Sequence, residues 1–194
     1  MSIKVNNYNK LLSGPHLNLY EIDYTDRRGN NNTWTLASRE KVGPKCMTGG
    51  LTTADAVVIV PYHRERRQLV VIREFRVALG GYQYGFPAGL IDPGESVQQT
   101  VERELTEETG LTVIRHLRQS PTVFTSSGLS DESLVMAYVD CGGEPSDAGN
   151  SSSEMIETHF LSPVDADRLC GDGDILMDVK TWLVLAGFAS SFFI

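Results

Sequence analysis

Residues 89–111 read GLIDPGESVQQTVERELTEETGL, and this stretch decides how the rest of the chain is interpreted. Its second half has the period of a helix. Ser96 followed three residues later by Gln99 has the pattern of a capping box, and Gly110 followed by Leu111 suits a left-handed stop, which places a helix over about Ser96 to Thr109. At about 100° per residue, Val97, Val101 and Leu105 form one apolar stripe. Glu108 falls within that stripe, Glu104 lies at its edge, Glu107 flanks Glu104, and Glu102 points away to solvent. An acidic helix is ordinarily a solvated charged face. Carboxylates turned toward the core instead repel one another and are costly to desolvate unless something neutralises them. A divalent cation does this well. Magnesium takes a few carboxylates plus waters and phosphate oxygens, and side chains at i and i+4 can reach one ion. Arg103 adjoins Glu107 on the helix surface, placed to hold these carboxylates in position.

Upstream of this stretch, Ala54 to Val60 and Gln68 to Phe75 read as strong strands separated by the charged turn His63 to Arg67. Before them Gly43 to Gly50 reads as a linker, and the first fifty residues as a β-hairpin: His16 to Tyr24, a turn at Gly29 to Asn32, and a return over Thr33 to Ser38. Downstream, strands are expected at Val113 to Arg118, Glu132 to Asp140 and Met155 to Leu161, with a mobile loop over Gly142 to Ser153. Helices are expected at Pro163 to Cys170 and Asp178 to Ser190. Strands mixed with a few helices on one core predict an α/β sandwich with a mixed β-sheet. We expect residues 1–50 to form a small N-terminal β subdomain and residues 51–194 the main domain.

Bulk properties narrow the partners. The net charge is −8, whereas nucleic acid or an anionic membrane as main partner requires a basic face. Cys46, Cys141 and Cys170 are odd in number and widely spaced, with no zinc pattern, which fits reduced thiols in the cytoplasm. The start is polar and Asn-rich, unlike a signal peptide. The apolar run Trp182 to Ile194 is too short to span a bilayer and is expected to be a buried C-terminal helix. His16, His63, His116 and His159 are scattered and form no constellation, so all four read as structural.

Gly89 through Glu95, then seven residues, then Arg103-Glu104-Leu105-Thr106-Glu107-Glu108-Thr109-Gly110-Leu111 resembles the Nudix box, G-x5-E-x7-R-E-U-x-E-E-x-G-U, at every fixed position. The resemblance implies a Nudix-type α/β/α sandwich and a hydrolase of nucleoside diphosphates linked to another moiety. It implies Glu104 and Glu108 as main metal ligands with Glu107 close by, the Ala88 carbonyl as a further ligand, and Glu95 and Arg103 as their organisers. The implied cofactor is magnesium, with manganese as the alternative. A diphosphate is anionic and repels hydroxide, so such chemistry needs charge neutralisation at the phosphates.

The likeness extends beyond the box. Val70 to Arg76, Pro87-Ala88-Gly89, Ser126 to Glu132, and Asp178 to Thr181 resemble the ADP-ribose pyrophosphatase branch. In that branch an N-terminal β-hairpin serves dimerisation and substrate binding, which implies a homodimer. Arg39 and Arg76 match arginines that contact phosphate or ribose, although surface arginines at strand ends read the same way. Trp34 resembles an aromatic that stacks on adenine from the partner subunit, against the simpler reading of packing on a hairpin. Ser127 and Gly128 fall in the substrate-facing loop, where Ser127 replaces the family's proline. Gly85 replaces an acidic residue usual before the Pro-Ala-Gly element. For the catalytic base two carboxylates compete, Glu107 on the helix and Glu132 after the loop. Substrates other than ADP-ribose (other nucleotide sugars, NADH, dinucleoside polyphosphates) and a non-catalytic ADP-ribose sensor are the rival readings.

Overall fold

A computed structural model describes residues 2–149 and 155–189. The elements in chain order are β1 (Lys4–Ser13), β2 (Asn18–Thr25), β3 (Asn31–Ser38), α1 (Lys45–Thr48), β4 (Ala56–His63), β5 (Gln68–Arg76), β6 (Gly81–Gly85) and β7 (Ala88–Leu90). They continue with α2 (Val97–Thr109), β8 (Thr112–Gln119), β9 (Val123–Phe124), β10 (Ser133–Gly142), β11 (Ile156–Leu161), α3 (Pro163–Gly171), β12 (Leu176–Met177) and α4 (Val179–Ala189). Two compact units emerge. The first joins the chain up to Ala56 with Pro121–Val135, and the second joins Val57–Ser120 with the chain from Met136 onward.

In the first unit β1, β2 and β3 form an antiparallel sheet in that order. The expected hairpin is present as β2 and β3, with Ile22 opposite Trp34. A third strand joins it, which corrects the hairpin to a three-stranded sheet. β1 is almost entirely exposed and its polar Asn-rich sequence has no alternating signal. It is held by register with β2 and by Tyr8, whose ring meets Tyr20 edge-on at 5.6 Å and whose hydroxyl donates to the Val42 carbonyl at 2.8 Å. The segment expected as a plain linker contains α1 followed by a 3₁₀ turn over Gly50–Thr52, and Lys45 in it is 1% exposed.

In the second unit the strands run β12-β6-β5-β4-β10-β8, with β11 on β5 and β7 on β4. The sheet is mixed, because β12 lies parallel to β6 while β5 is antiparallel to β4, β6 and β11. Val57, Ile59, Val70, Ala137, Val139 and Cys141 pack with Val101, Leu105 and Leu111 in one buried cluster, so α2 covers one face. Val60, Leu69, Met136 and Tyr138, on the alternate positions, line a groove with Leu183, Val184 and Phe188 of α4 on the other face. Helices on both faces make an α/β/α sandwich. They also explain why Val57–Val60 and Leu69–Ile72 are continuous apolar runs. Each such buried aliphatic side chain contributes about 1.5–3 kcal/mol.

One expectation changes here. α4 is only partly buried, since Thr181, Leu185 and Ala186 face inward while Val179 and Leu183 are exposed; residues 190–194 of that apolar run lie outside the described residues. In the loop after β10 the Ser146 amide donates to the Thr109 carbonyl at 2.9 Å. Its residues 150–153 lie outside the described residues. Among the described residues no helix is long and apolar enough to cross a membrane.

Asp140 on β10 is buried and accepts from Arg64 at 2.9 Å and from Arg115 at 3.1 and 2.9 Å, all at Oδ2. The Arg64 hydrogen bond above all, then Arg115, holds its carboxyl below the usual range against the opposing effect of burial. The unfolded chain therefore binds this proton at a higher pH than the folded one, and stability from Asp140 is present above about pH 4 and lost as pH falls through its depressed value. Asp140→Asn should lower the melting temperature at pH 7, and the gap to wild type should shrink as pH drops from 4 toward 2 in parallel thermal melts. A gap that stays constant with pH would rule out this ion pair as its source.

Candidate active site

The helix α2 is fixed at both ends by its own sequence. Ser96 Oγ accepts from the Gln99 amide at 3.3 Å and Gln99 Oε1 accepts from the Ser96 amide at 2.9 Å, which is the expected capping box. At the other end Gly110 adopts φ 73°, a region that a side chain disfavours, and its amide reaches the Thr106 carbonyl. Between these ends α2 projects Arg103, Glu104, Glu107 and Glu108.

Arg103 is the centre of this group. It binds Glu95 through two parallel bonds of 2.9 Å, Glu104 at 2.6 Å, Glu107 at 3.2 Å and the Leu90 carbonyl at 3.1 Å. Bidentate arginine–carboxylate pairing fixes geometry as well as charge. The Arg103 bonds, followed by the Thr100 hydroxyl at 2.8 Å, bring the Glu95 carboxyl down to about 2. The same partners, Glu95 first, push the Arg103 guanidinium upward from its already high value, so it is a permanent cation.

The strand β7 lies directly against this cluster. The Ala88 amide donates to Glu108 Oε2 at 3.1 Å, and the Ile59 amide donates to the Pro87 carbonyl at 2.8 Å, anchoring the entry to β7 on β4. A Cβ built on Gly89 would coincide with the Glu104 carboxylate, so only glycine leaves that carboxylate its place. Glu104 and Glu95 are largely enclosed, at 12% and 16% side-chain exposure, whereas Glu107 is half exposed. Glu102 is exposed and faces His116 at 3.3 Å, as its solvated position predicts.

The donor set, carboxylates and a backbone carbonyl, is hard oxygen and suits magnesium or a similar divalent cation. Among the described residues no three His, Cys, Asp or Glu side chains are grouped closely enough to surround a cation as they stand. Arg103 takes up part of that space by engaging Glu104 and Glu107 itself. A cation at these carboxylates would compete with the guanidinium, which keeps Glu95 as its principal partner.

The remaining residues singled out from the sequence fall as follows. Arg76, at the end of β5, is half exposed and pairs with Glu74 at 2.9 Å. In the first unit Arg39 pairs with Glu132 through Nε and Nη2, both at 2.7 Å. Glu132 also accepts from the Thr125 hydroxyl at 3.3 Å. Trp34 on β3 is half exposed and lines an open concavity with Asn6, Asp23, Tyr24, Asn31 and Asn32. Ser127 and Gly128 are exposed in a turn closed by the Leu129 and Ser130 amides on the Ser126 carbonyl, both at 2.9 Å. Sequence reasoning did not assign a role to Gly89 as the space for Glu104, nor to Thr100 as a partner of Glu95. Thr100 lies on the helix four residues after Ser96, and that position was the available signal.

Comparison with known proteins matches the NUDIX domain over residues 52–177. The chain is 31% identical to the ADP-sugar pyrophosphatase of Mus musculus over 185 residues, covering 87% of this chain and 79% of that protein. It is 44% identical over 80 residues to the ADP compounds hydrolase NudE of Escherichia coli (strain K12), covering 39% of this chain and 42% of that protein. The match thus spans less than half the length of NudE. A crystal structure of an ADP compounds hydrolase superimposes with a TM-score of 0.70 at 21% identity, covering 96% of this chain and 94% of that one, and so shares the fold. The chain belongs to the NUDIX domain family.

Gly89→Ala tests the close approach of β7 and α2. The added methyl displaces the Glu104 carboxylate, and metal affinity should fall by about 10–100-fold, as when a metal site loses its orienting contacts. Titration with manganese followed by electron paramagnetic resonance measures this directly. Unchanged affinity in a folded variant would show that Glu104 does not need its present position.

Proposed function

We propose that this protein hydrolyses the diphosphate linkage of ADP-ribose or a related nucleotide sugar, giving AMP and a sugar phosphate, with magnesium as cofactor and manganese as a substitute. The observation that carries this reading is one arginine, Arg103, holding Glu95, Glu104 and Glu107 together, with the Ala88 amide of the adjoining strand on Glu108. Glu104, Glu108 and the Ala88 carbonyl would hold the cation. Once bound, it neutralises phosphate charge and lowers the pKa of water. Arg103 and Glu95 keep the carboxylates in place.

In the reaction water adds to one phosphorus, the bond from the other phosphorus's bridging oxygen to it breaks, and a base takes the proton of the water. We assign that base to Glu132, with Glu107 as the alternative. Glu107 is held by Arg103 as part of the carboxylate group, which suits support of the cation better than proton transfer. Glu132 is ion-paired to Arg39, and a substrate phosphate that draws Arg39 away leaves Glu132 able to accept a proton. Arg76, Ser127 and Gly128 are assigned to substrate contact. The three cysteines are free thiols, in keeping with a reducing cytoplasm.

A panel of nucleotides with magnesium or with chelator tests the assignment. ADP-ribose should be cleaved only with the cation, and Glu108→Gln should lower kcat at least about 100-fold while melting no lower than wild type in chelator. Absence of metal-dependent turnover would refute hydrolysis, and faster turnover of NADH would refute the substrate. The names of the relatives favour a second reading, a broader range of ADP compounds, which the same panel separates by relative kcat/KM.

We also propose a homodimer formed through the N-terminal sheet, with Trp34 stacking on the adenine. Val5, Leu12, Leu19 and Trp34 are exposed apolar side chains on this sheet. Trp34→Ala should raise KM about 10-fold with kcat nearly unchanged, and sedimentation should give twice the chain mass. A fully active monomer would remove the dimer from the account.

A further inference from the structure

Lys45 is the most unusual charged residue in the first unit, since a lysine is almost never fully buried without partners. Its ammonium has three donors and finds three acceptors: Asp55 Oδ2 at 2.6 Å, Ser133 Oγ at 2.6 Å and the Thr53 carbonyl at 3.1 Å. Asp55 extends the network. Its Oδ2 also accepts from the Ser133 amide at 2.8 Å, and its own amide donates to the Ser133 carbonyl at 3.0 Å. Ser133 is therefore held by side chain, amide and carbonyl together.

The residue on the other side of Glu132 is held by the same segment. Asp131 Oδ2 accepts from the Lys45 amide at 2.8 Å and from Ser38 Oγ at 3.1 Å, and the Asp131 amide reaches the Ala37 carbonyl at 3.3 Å. Asp131 Oδ1 is buried with no hydrogen-bond partner, a cost tolerated where neighbours over-determine the backbone. Ser38 directly precedes Arg39, the ion-pair partner of Glu132. Both halves of that ion pair are thus neighbours of residues that the network joins.

We infer that Lys45 is a positioning residue for Glu132, its buried ammonium and amide fixing residues 131 and 133 so that the carboxylate between them is presented in one place. Stability alone does not account for the lysine, because replacing a buried ion pair by apolar groups is often neutral or stabilising. A nucleophilic Ser133 activated by Lys45 is excluded by access, since Ser133 is fully buried. The inference rests on the proposed participation of Glu132 in hydrolysis, and the test separates the two.

The test is a double-mutant cycle on the full chain, assayed with ADP-ribose and magnesium. Lys45→Met/Asp55→Asn removes both charges and leaves neither buried alone. It should lower kcat about 10-fold, with KM and the magnesium activation constant within about two-fold of wild type. In a Glu132→Gln background the same pair of substitutions should have no further effect on kcat, because the group being positioned is already gone. Equal losses in both backgrounds, or no loss in the wild-type background, overturn the inference. If Glu132→Gln alone keeps wild-type kcat, the role of Glu132 itself fails, and the positioning role falls with it. Should the charge-pair variant not fold, Ser133→Ala removes one acceptor of the ammonium without stranding a carboxylate. The same cycle then reads a fall of about three-fold that vanishes in the Glu132→Gln background.

Discussion

One guanidinium sets the arrangement of the second unit's charged residues. Without Arg103, the carboxylates of Glu95, Glu104 and Glu107 would share a small, partly enclosed volume and repel one another. With it, three acidic side chains and the Leu90 carbonyl are gathered by a single planar group whose five donors have fixed directions. The arrangement demands that the helix start and stop where it does, since a shift of one residue along α2 turns this face by about 100°. It also demands a strand without a side chain at residue 89. The caps at Ser96 and Gly110, the glycine at 89 and the salt bridges at 103 are therefore parts of one constraint.

Local signals were legible, and long-range ones were not. The period of α2, its capping box and its glycine stop are written within sixteen residues and recur in the structure. The same holds for β4 and β5, whose apolar runs are continuous because both faces are covered. β1 escaped notice because its exposed polar side chains carry no alternation, and β6, β7, β9 and β12 because strands of two to five residues are too short to show a period. α1 reads as a linker for a physical reason: Gly43-Pro44 before it and Gly49-Gly50 after it say turn, while the buried lysine that anchors it meets its partners 10 and 88 residues away.

The candidate site divides along the same line. The spacing of the box identified Glu95, Arg103, Glu104, Glu107 and Glu108 as a group, and helical geometry explains why they can meet. The reason for Gly89 could not be read from spacing, because it depends on where a carboxylate from another element comes to rest. The Arg39–Glu132 pair is similar: neither residue is distinctive alone, and the 93 residues between them hide the contact.

The first unit is built from two stretches of chain separated by more than sixty residues, and this bears on how the polypeptide is made. The ammonium of Lys45 cannot meet Ser133 until the intervening 88-residue span has been synthesised, which at 5–20 residues per second takes about 4–18 seconds. During that interval neither Lys45 nor Asp55 has Ser133 as a partner, and the first unit lacks its second stretch, Pro121–Val135. Closing so long a loop carries an entropic penalty that grows only slowly with length, so the cost falls on timing more than on final stability. The hydrogen-bond network around Lys45 is therefore one of the last features of the first unit that synthesis permits.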